Sequence, residues 1–435
     1  MNEPQQDQEV ELRHEIVPDV PLGGGRKALI LLFVVALLLP FNVNLGPLRL
    51  TPATFFLLLA FLPLLGIWLF RKPTPITAPD YMILGFVAWA ATAIIINQGL
   101  ALSIEPIGLH ILQTLGAFMT GRVLVRDDKS MMFMAKTAVI AGCVLAVPAV
   151  LESLTGRPVA LQLAGLIGPS WPGVNMSPRM GLHRAQASFE HPILFGIFAA
   201  SLVSLAVYCL PKGAFWKKIG PVGVVVAAVT SLSAGALLSL NMQFGLMLWN
   251  YVLRAYENRW KILGVLVVLL YIAVDLVSVR TPFHVLVNYA TFSSGSAYTR
   301  ILIWEYGSAE ALRNPFFGIG FGEWERPSYM GPSIDNFWLV QALHYGMPAC
   351  FLLMGMMILI MVRAGNSNGP GEMRDSLRRG AIFALLGTCV SIGSVHLWNS
   401  SYMWLMFLAG SSVWLGLDSV LLSKAGKRKS ARTAP

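Results

Sequence analysis

Apolar residues fall in repeated runs of roughly 18 to 22 positions, interrupted by short polar, glycine or proline breaks, and runs of that length cross a hydrocarbon core of about 30 Å. Continuous apolarity predicts spans at 28–46, 51–70, 79–98, 106–121, 131–152, 191–210, 219–232, 235–253, 261–280, 336–362, 380–395 and 400–422. The pattern implies an all-α polytopic membrane protein with about twelve transmembrane helices. Residues 1–26 read as a polar, disordered cytoplasmic N-terminus, 27–423 as the membrane domain and 424–435 as a basic cytoplasmic tail. Two long hydrophilic segments remain, 153–190 and 281–335, and the second forms a large loop between the ninth and tenth spans.

Composition supports this reading. The 435 residues are 55% hydrophobic and 12% charged, which excludes a water-soluble globule of ordinary composition. No small-residue cleavage site follows the first apolar run, so that run is expected to remain as an anchor. The net charge of +10 would suit a nucleic-acid partner, but its distribution points to topology instead. With both termini in the cytoplasm, 23 of 32 Lys and Arg residues fall on the cytoplasmic side, as the positive-inside rule requires. Eight face the other way, at positions 49, 157, 179, 184, 280, 300, 313 and 326, and all are arginine; Lys136 lies within the fifth span. No nucleic-acid partner is expected, and the tail from Lys424 suits anionic lipid.

Short cytoplasmic connections without a Walker-type loop leave no room for a nucleotide-binding domain. Cys143, Cys209, Cys350 and Cys389 sit in apolar runs without metal-ligand spacing, so neither a disulfide nor a metal is expected. Intramembrane ionisable residues are sparse, Lys136 and Asp275, and there is no inverted repeat, which argues against a charge-relay transporter. Function is therefore sought in the two external segments.

The first cluster joins Arg179, His183, Arg184, Glu190 and His191 just before a span. Arg184 and His191 can anchor a helix end among lipid headgroups, or the guanidinium forks can form an anion-binding mouth. The second cluster runs from Arg300 and Trp304 through Arg313 to Gly318, Gly320 and Gly322, and on to Asp335 and Asn336. Residues 297–313 read as a helix ending before Pro315. Arg300, Trp304, Gly307 and Ala311 share one face of it, as a lid over a pocket would. The alternating glycines either shape a turn or let backbone approach a ligand. Asp335 is expected at the head of the tenth span, as a helix N-cap, a catalytic group or both. Ser231, Ser233 and Gly235 break a long apolar stretch into a polar hairpin, where small residues also suit helix packing.

Together these residues resemble the O-antigen ligase and polysaccharide polymerase family of bacterial envelopes. The resemblance rests on Arg184 with Glu190-His191-Pro192, Ser233-Ala234-Gly235, Arg300 with Ile303-Trp304, Asn314-Pro315 with the glycine run, and Asp335-Asn336-Phe337-Trp338-Leu339 followed by Gly346. It implies a C-type glycosyltransferase-like fold in the bacterial inner membrane. It further implies glycan transfer from an undecaprenyl-pyrophosphate carrier to an acceptor glycan, without metal or cofactor, in company with other polysaccharide-assembly proteins.

On that reading Arg184 and Arg300 hold the pyrophosphate, and Asp335, or His191, deprotonates the acceptor. Arg179, Glu190, Arg280, Arg313, Trp304, Gly320 and Asn336 complete the expected substrate contacts. Two departures stand out. The family commonly carries Ser-Arg-Gly where this chain has Ser233-Ala234-Gly235, so Arg280 or Arg313 would have to replace an arginine. Ligases typically carry His-Asn where this chain has Asp335-Asn336, a variant closer to the exopolysaccharide polymerases. A ligase acting on lipid A-core and a flippase for lipid-linked glycans are the rival expectations.

Overall fold

The structure is a computed structural model describing residues 22–45, 48–71, 74–277, 294–367 and 371–417. It is a bundle of helices with one small two-stranded element. In chain order come α1 (Gly24–Leu38), strands β1 (Val43–Leu45) and β2 (Leu48–Leu50), α2 (Pro52–Gly66), α3 (Ala78–Gln98), α4 (Leu100–Ile111), α5 (Ala117–Leu124), α6 (Asp128–Thr155) and α7 (Val159–Gly165). There follow α8 (Pro192–Tyr208), α9 (Phe215–Thr230), α10 (Ala234–Val252), α11 (Arg259–Val277), α12 (Ser294–Arg313), α13 (Phe337–Tyr345), α14 (Met347–Gly365), α15 (Glu372–Ser391) and α16 (Asn399–Ser412).

A helix occupies each of the twelve apolar runs. Six helical segments among the described residues are long and apolar enough to cross a membrane: Pro52–Arg71, Ala78–Gln98, Leu100–Leu124, Asp128–Thr155, Arg259–Val277 and Met347–Gly365. The third joins α4 to α5 through a π-helical stretch at Leu112–Gly116. The chain is thus a helical membrane protein with large apolar residues such as Leu62 and Phe70 exposed on its outer surface.

Two expected helices are corrected. The first ends at Leu38 rather than continuing to 46, because Leu39 is extended ahead of Pro40, the conformation that a following proline favours. The chain then forms the antiparallel pair β1 and β2. The tenth span, expected to be continuous over 336–362, is two helices separated at Gly346, whose φ is 87°. The cause is close approach of another backbone. A Cβ on Gly346 would lie 1.9 Å from the Phe316 carbonyl oxygen, while Met347 N–H donates to the Pro315 carbonyl and Ile319 N–H to that of Leu343, both at 2.7 Å.

Helices α8 and α16 form the interior, each buried along nearly its whole length. Trp404 Nε1 donates to Ser201 Oγ at 2.8 Å between them. Helices α5 and α16 cross so closely that a Cβ on Gly410 would lie 2.0 Å from the Phe118 carbonyl, as small residues permit in membrane bundles. Helix α11 differs, with no buried residue along its length.

One end of the bundle is tied by ion pairs. Arg26 meets Asp127 at 2.8 Å, Arg374 meets Asp128 at 3.2 Å and Arg378 meets Asp375 at 3.0 Å. The deepest pair is Arg122 with Asp80, 2.8 Å apart and both wholly buried. Asp80 also accepts the Thr77 N–H at 2.7 Å, and Arg122 donates to the Pro75 carbonyl at 2.6 Å. Asp80→Ala would leave that guanidinium buried without its anion, a change that typically costs about 3–5 kcal/mol. The expected outcome is a clear fall in the thermal midpoint of the detergent-solubilised protein, and an unchanged midpoint would show the pair to be dispensable.

Candidate functional site

At the other end of the same helices the chain turns irregular, and each turn is held by specific donors and acceptors. Glu152, near the end of α6, accepts the N–H groups of Gln186 at 3.2 Å and Ala187 at 2.9 Å. His183 N–H donates to Ser153 and Ala185 N–H to Thr230, at 2.9 and 3.0 Å. The backbone on both sides of Arg184 is therefore fixed to α6 and α9. Gln186 adds a brace, accepting the Val174 N–H at 2.7 Å and donating to the Phe189 carbonyl at 3.0 Å. Opposite, Glu190 accepts from the Trp398 indole and from Asn399 Nδ2, which ties the start of α8 to the start of α16.

Backbone conformation marks the same region. Among the described residues Met180, Ala187, Leu232 and Asn399 are the non-glycine residues with φ between 43° and 53°. Met180, Leu232 and Asn399 each adjoin a residue that lines one cavity, Arg179, Ser233 and Trp398, and Ala187 lies in the turn that follows Arg184. Left-handed non-glycine residues cost about 1–3 kcal/mol each and gather where surrounding structure enforces them.

The cavity is about 750 Å³, within the range of small-ligand sites. Arg179, Arg184, His191, Arg300 and Asp335 line it together, although they come from two distant stretches of sequence. Arg184 is buried; its Nε donates to the Ser231 carbonyl at 3.4 Å and Nη1 faces the Met176 sulfur at 3.2 Å. Arg300 Nε donates to the Ser394 carbonyl at 2.9 Å, while its buried Nη1 has no partner. Arg179 Nη1 donates to the Leu232 carbonyl at 2.7 Å. Among the described residues neither Arg184 nor Arg300 forms a salt bridge. Burial, with Arg179 and Arg300 nearby, lowers the Arg184 guanidinium to about 10, and Asp335 opposes that shift. Burial likewise lowers Arg300, against the pull of Asp335. Arg184 and Arg300 are thus cations that line one cavity without a salt bridge among the described residues, and Arg300 keeps a buried donor unpartnered, an arrangement suited to an anion.

Asp335 is not the helix cap. Asn336 performs that role, its side-chain oxygen accepting the Leu339 N–H at 3.1 Å. Asp335 keeps its carboxylate in the cavity, with Ser333 Oγ at 3.4 Å. His191 caps α8 through Nδ1, which accepts the Ile193 N–H at 3.2 Å. In neutral imidazole this places the proton on Nε2, making the free edge a donor rather than a base. Burial and Arg184 lower His191 to about 4, so it is neutral near pH 7.

The other expected contacts lie elsewhere. Glu190 works as the tie between α8 and α16. Arg313 pairs with Glu310 at 3.3 Å and with Glu325, outside the cavity lining. Trp304 is 40% exposed and is not among the residues that line the cavity, so α12 presents Arg300 there without it. Gly320 packs its backbone against Asn97, and the glycine run docks at the break between α13 and α14. Arg280 lies outside the described residues. Sequence reasoning missed His344, His396 and Trp398, which all line the cavity. His396 Nδ1 is buried without a partner, and its ring stacks between Phe337 and Trp398, 6.0 and 5.8 Å away. The available signal was a His-Leu-Trp-Asn stretch between two apolar runs. Glu152 was hidden at the last position of a predicted span.

Comparison with known proteins finds no matching protein-family model and no matching curated protein sequence.

The unfolded chain protonates His191 near pH 6.5, whereas the folded chain resists until about 4. The unfolded state therefore binds more protons in that interval, and stability is lost as pH falls through it. His396, also held near 4 by burial, contributes in the same direction. His191→Asn keeps a capping acceptor and is expected to make the thermal midpoint less sensitive to pH between 6.5 and 4; an unaltered slope would remove His191 from the account.

Proposed function

We propose that this protein is a glycosyltransferase that polymerises undecaprenyl-pyrophosphate-linked oligosaccharide repeat units into exopolysaccharide or O-antigen at the periplasmic face of the bacterial inner membrane. One observation carries the reading: Arg184 and Arg300, neither of which forms a salt bridge among the described residues, share a cavity with the carboxylate of Asp335. A pyrophosphate leaving group needs the first, and a hydroxyl nucleophile needs the second. The proposed topology has twelve membrane-spanning helices of C-type glycosyltransferase character, both termini in the cytoplasm and the cavity on the opposite side. The bilayer holds the carrier lipid, the acceptor is a second glycan, and other polysaccharide-assembly proteins supply and export the chains.

In the proposed step the acceptor hydroxyl oxygen attacks the anomeric carbon of the donor glycan. The bond from that carbon to the pyrophosphate oxygen breaks, and polyprenyl pyrophosphate leaves with the electron pair. Asp335 takes the hydroxyl proton. Arg184 and Arg300 meet the charge that develops on the leaving group, where preorganised donors in a water-poor site act most strongly. The unpartnered Arg300 Nη1 and the Nε2–H of His191 are further donors toward the phosphate oxygens.

Purified protein given lipid-linked repeat units is expected to yield longer lipid-linked chains and free polyprenyl pyrophosphate. Translocation without new glycosidic bonds would instead establish a flippase, and transfer to lipid A-core alone would establish a ligase. Arg300→Lys, which keeps charge but loses the fork, is expected to reduce kcat about 10²- to 10³-fold; near-native turnover would displace Arg300 from the site. Asp335→Asn leaves the Asn336 cap in place and is expected to reduce turnover at least about 10²-fold, with unchanged turnover pointing to another base.

A further inference from the structure

Beside the main cavity lies a smaller chamber of about 250 Å³, formed by the segment that follows the glycine run. Its size falls just below that of sites for whole drug-like ligands, which suits a single ring rather than a lipid chain. Pro332, Ile334 and His344 line both spaces. The two are therefore neighbours across a thin partition, and Asp335, the next residue after Ile334, stands on the main-cavity side.

The chemistry of the chamber differs from that of the cavity. Phe321 is 45% exposed, and its ring is held edge-on against His344 at 5.1 Å and Tyr345 at 6.3 Å. It offers an apolar platform of fixed orientation. Glu323 places a carboxylate at the chamber, with 90% of its side chain exposed. The Arg326 guanidinium is already engaged. It lies 3.6 Å from Glu323, 5.7 Å from the Trp324 ring centre, and donates to the Trp324 carbonyl at 3.1 Å. Trp324 in turn donates its indole N–H to the Pro332 carbonyl at 3.0 Å, fixing the chamber floor to the partition.

A phosphate would find Arg326 shared with an acid and would meet the repulsion of Glu323. A polyhydroxylated ring meets what it needs, an aromatic surface for its C–H groups and charged acceptors and donors for its hydroxyls. We infer that this chamber is a subsite for a sugar ring of the acceptor glycan, from which the glycan would extend past the wall shared at Pro332 and Ile334 so that a neighbouring sugar offers its hydroxyl in the cavity that Asp335 lines. The inference rests on the glycosyl-transfer reading for its role in turnover, while binding of a glycan there is independent of it.

The test uses the full-length protein in lipid nanodiscs and, as probe, lipid-free repeat-unit oligosaccharide released by mild acid from the lipid-linked oligosaccharides of the producing cells. Binding is followed by saturation-transfer NMR, and transfer by chain elongation at varied acceptor. Phe321→Ala and, separately, Glu323→Gln are each expected to weaken oligosaccharide binding and raise the acceptor KM about tenfold, a change of about 1.4 kcal/mol. The donor KM is expected to stay within twofold of native. Should Phe321→Ala fail to fold, Glu323→Gln decides the matter, since its side chain stands in solvent. Native acceptor affinity in the folded variants, or no oligosaccharide binding by the native protein, overturns the subsite. Elongation with unchanged acceptor KM would do so while leaving the glycosyl-transfer reading intact. Binding lost in the variants, together with no transfer by the native protein, would uphold the subsite and overturn the enzymatic reading.

Discussion

Glu152 holds the segment on which the site depends. Its carboxylate accepts two successive backbone N–H groups from the turn after Arg184, groups that no helix or strand satisfies. Irregular backbone inside a membrane protein is tolerated only where its polar groups find partners within the protein. With Ser153 and Thr230 accepting the neighbouring N–H groups, a loop that would otherwise be costly becomes a rigid mount. Arg184 is presented by that mount, and the side chain needs few contacts of its own.

This arrangement gives the bundle two electrically different ends. Where α1, α3, α5, α6 and α15 meet, Arg26, Arg122 and Arg374 are matched with aspartates of other segments, and Arg378 with Asp375 of its own helix. Where α8, α10 and α16 begin, Arg184 and Arg300 take backbone carbonyls and a sulfur as partners. Carbonyl dipoles orient a guanidinium without cancelling its charge, so both arginines bring a full positive charge to the cavity they share with Asp335. Buried polar groups are usually satisfied; among the described residues that line the cavity, Arg300 Nη1 and His396 Nδ1 are buried atoms without a partner.

The helices were legible because apolar run length is a direct physical requirement of a bilayer. The breaks were less so. Gly346 interrupts an apolar run without altering its composition, and only the approach of Pro315 to Ile319 explains why the helix stops there. In the site, Arg179, Arg184, Arg300 and Asp335 stood out because polar density beside a span is costly unless used. Glu190, Arg313, Gly320 and Asn336 lie in the same motifs, yet they brace, pair, pack and cap. Sequence spacing does not separate a residue that shapes a site from one that faces it. His344, His396 and Trp398 were obscured by the opposite problem, since they lie within or between apolar runs and gain significance only from convergence of α13 with the start of α16.

The Lys and Arg positions among the described residues that line the cavity are all arginine, and the burial of Arg184 gives that choice a meaning in terms of proton retention. Lowered to about 10, the guanidinium still holds its proton at neutral and mildly alkaline pH. An ammonium group starts at about 10.4 in water, and the same surroundings would bring it to the brink of neutrality at mildly alkaline pH. A cavity built with lysine would change its charge with the medium, whereas this one keeps a constant charge while remaining partly dry.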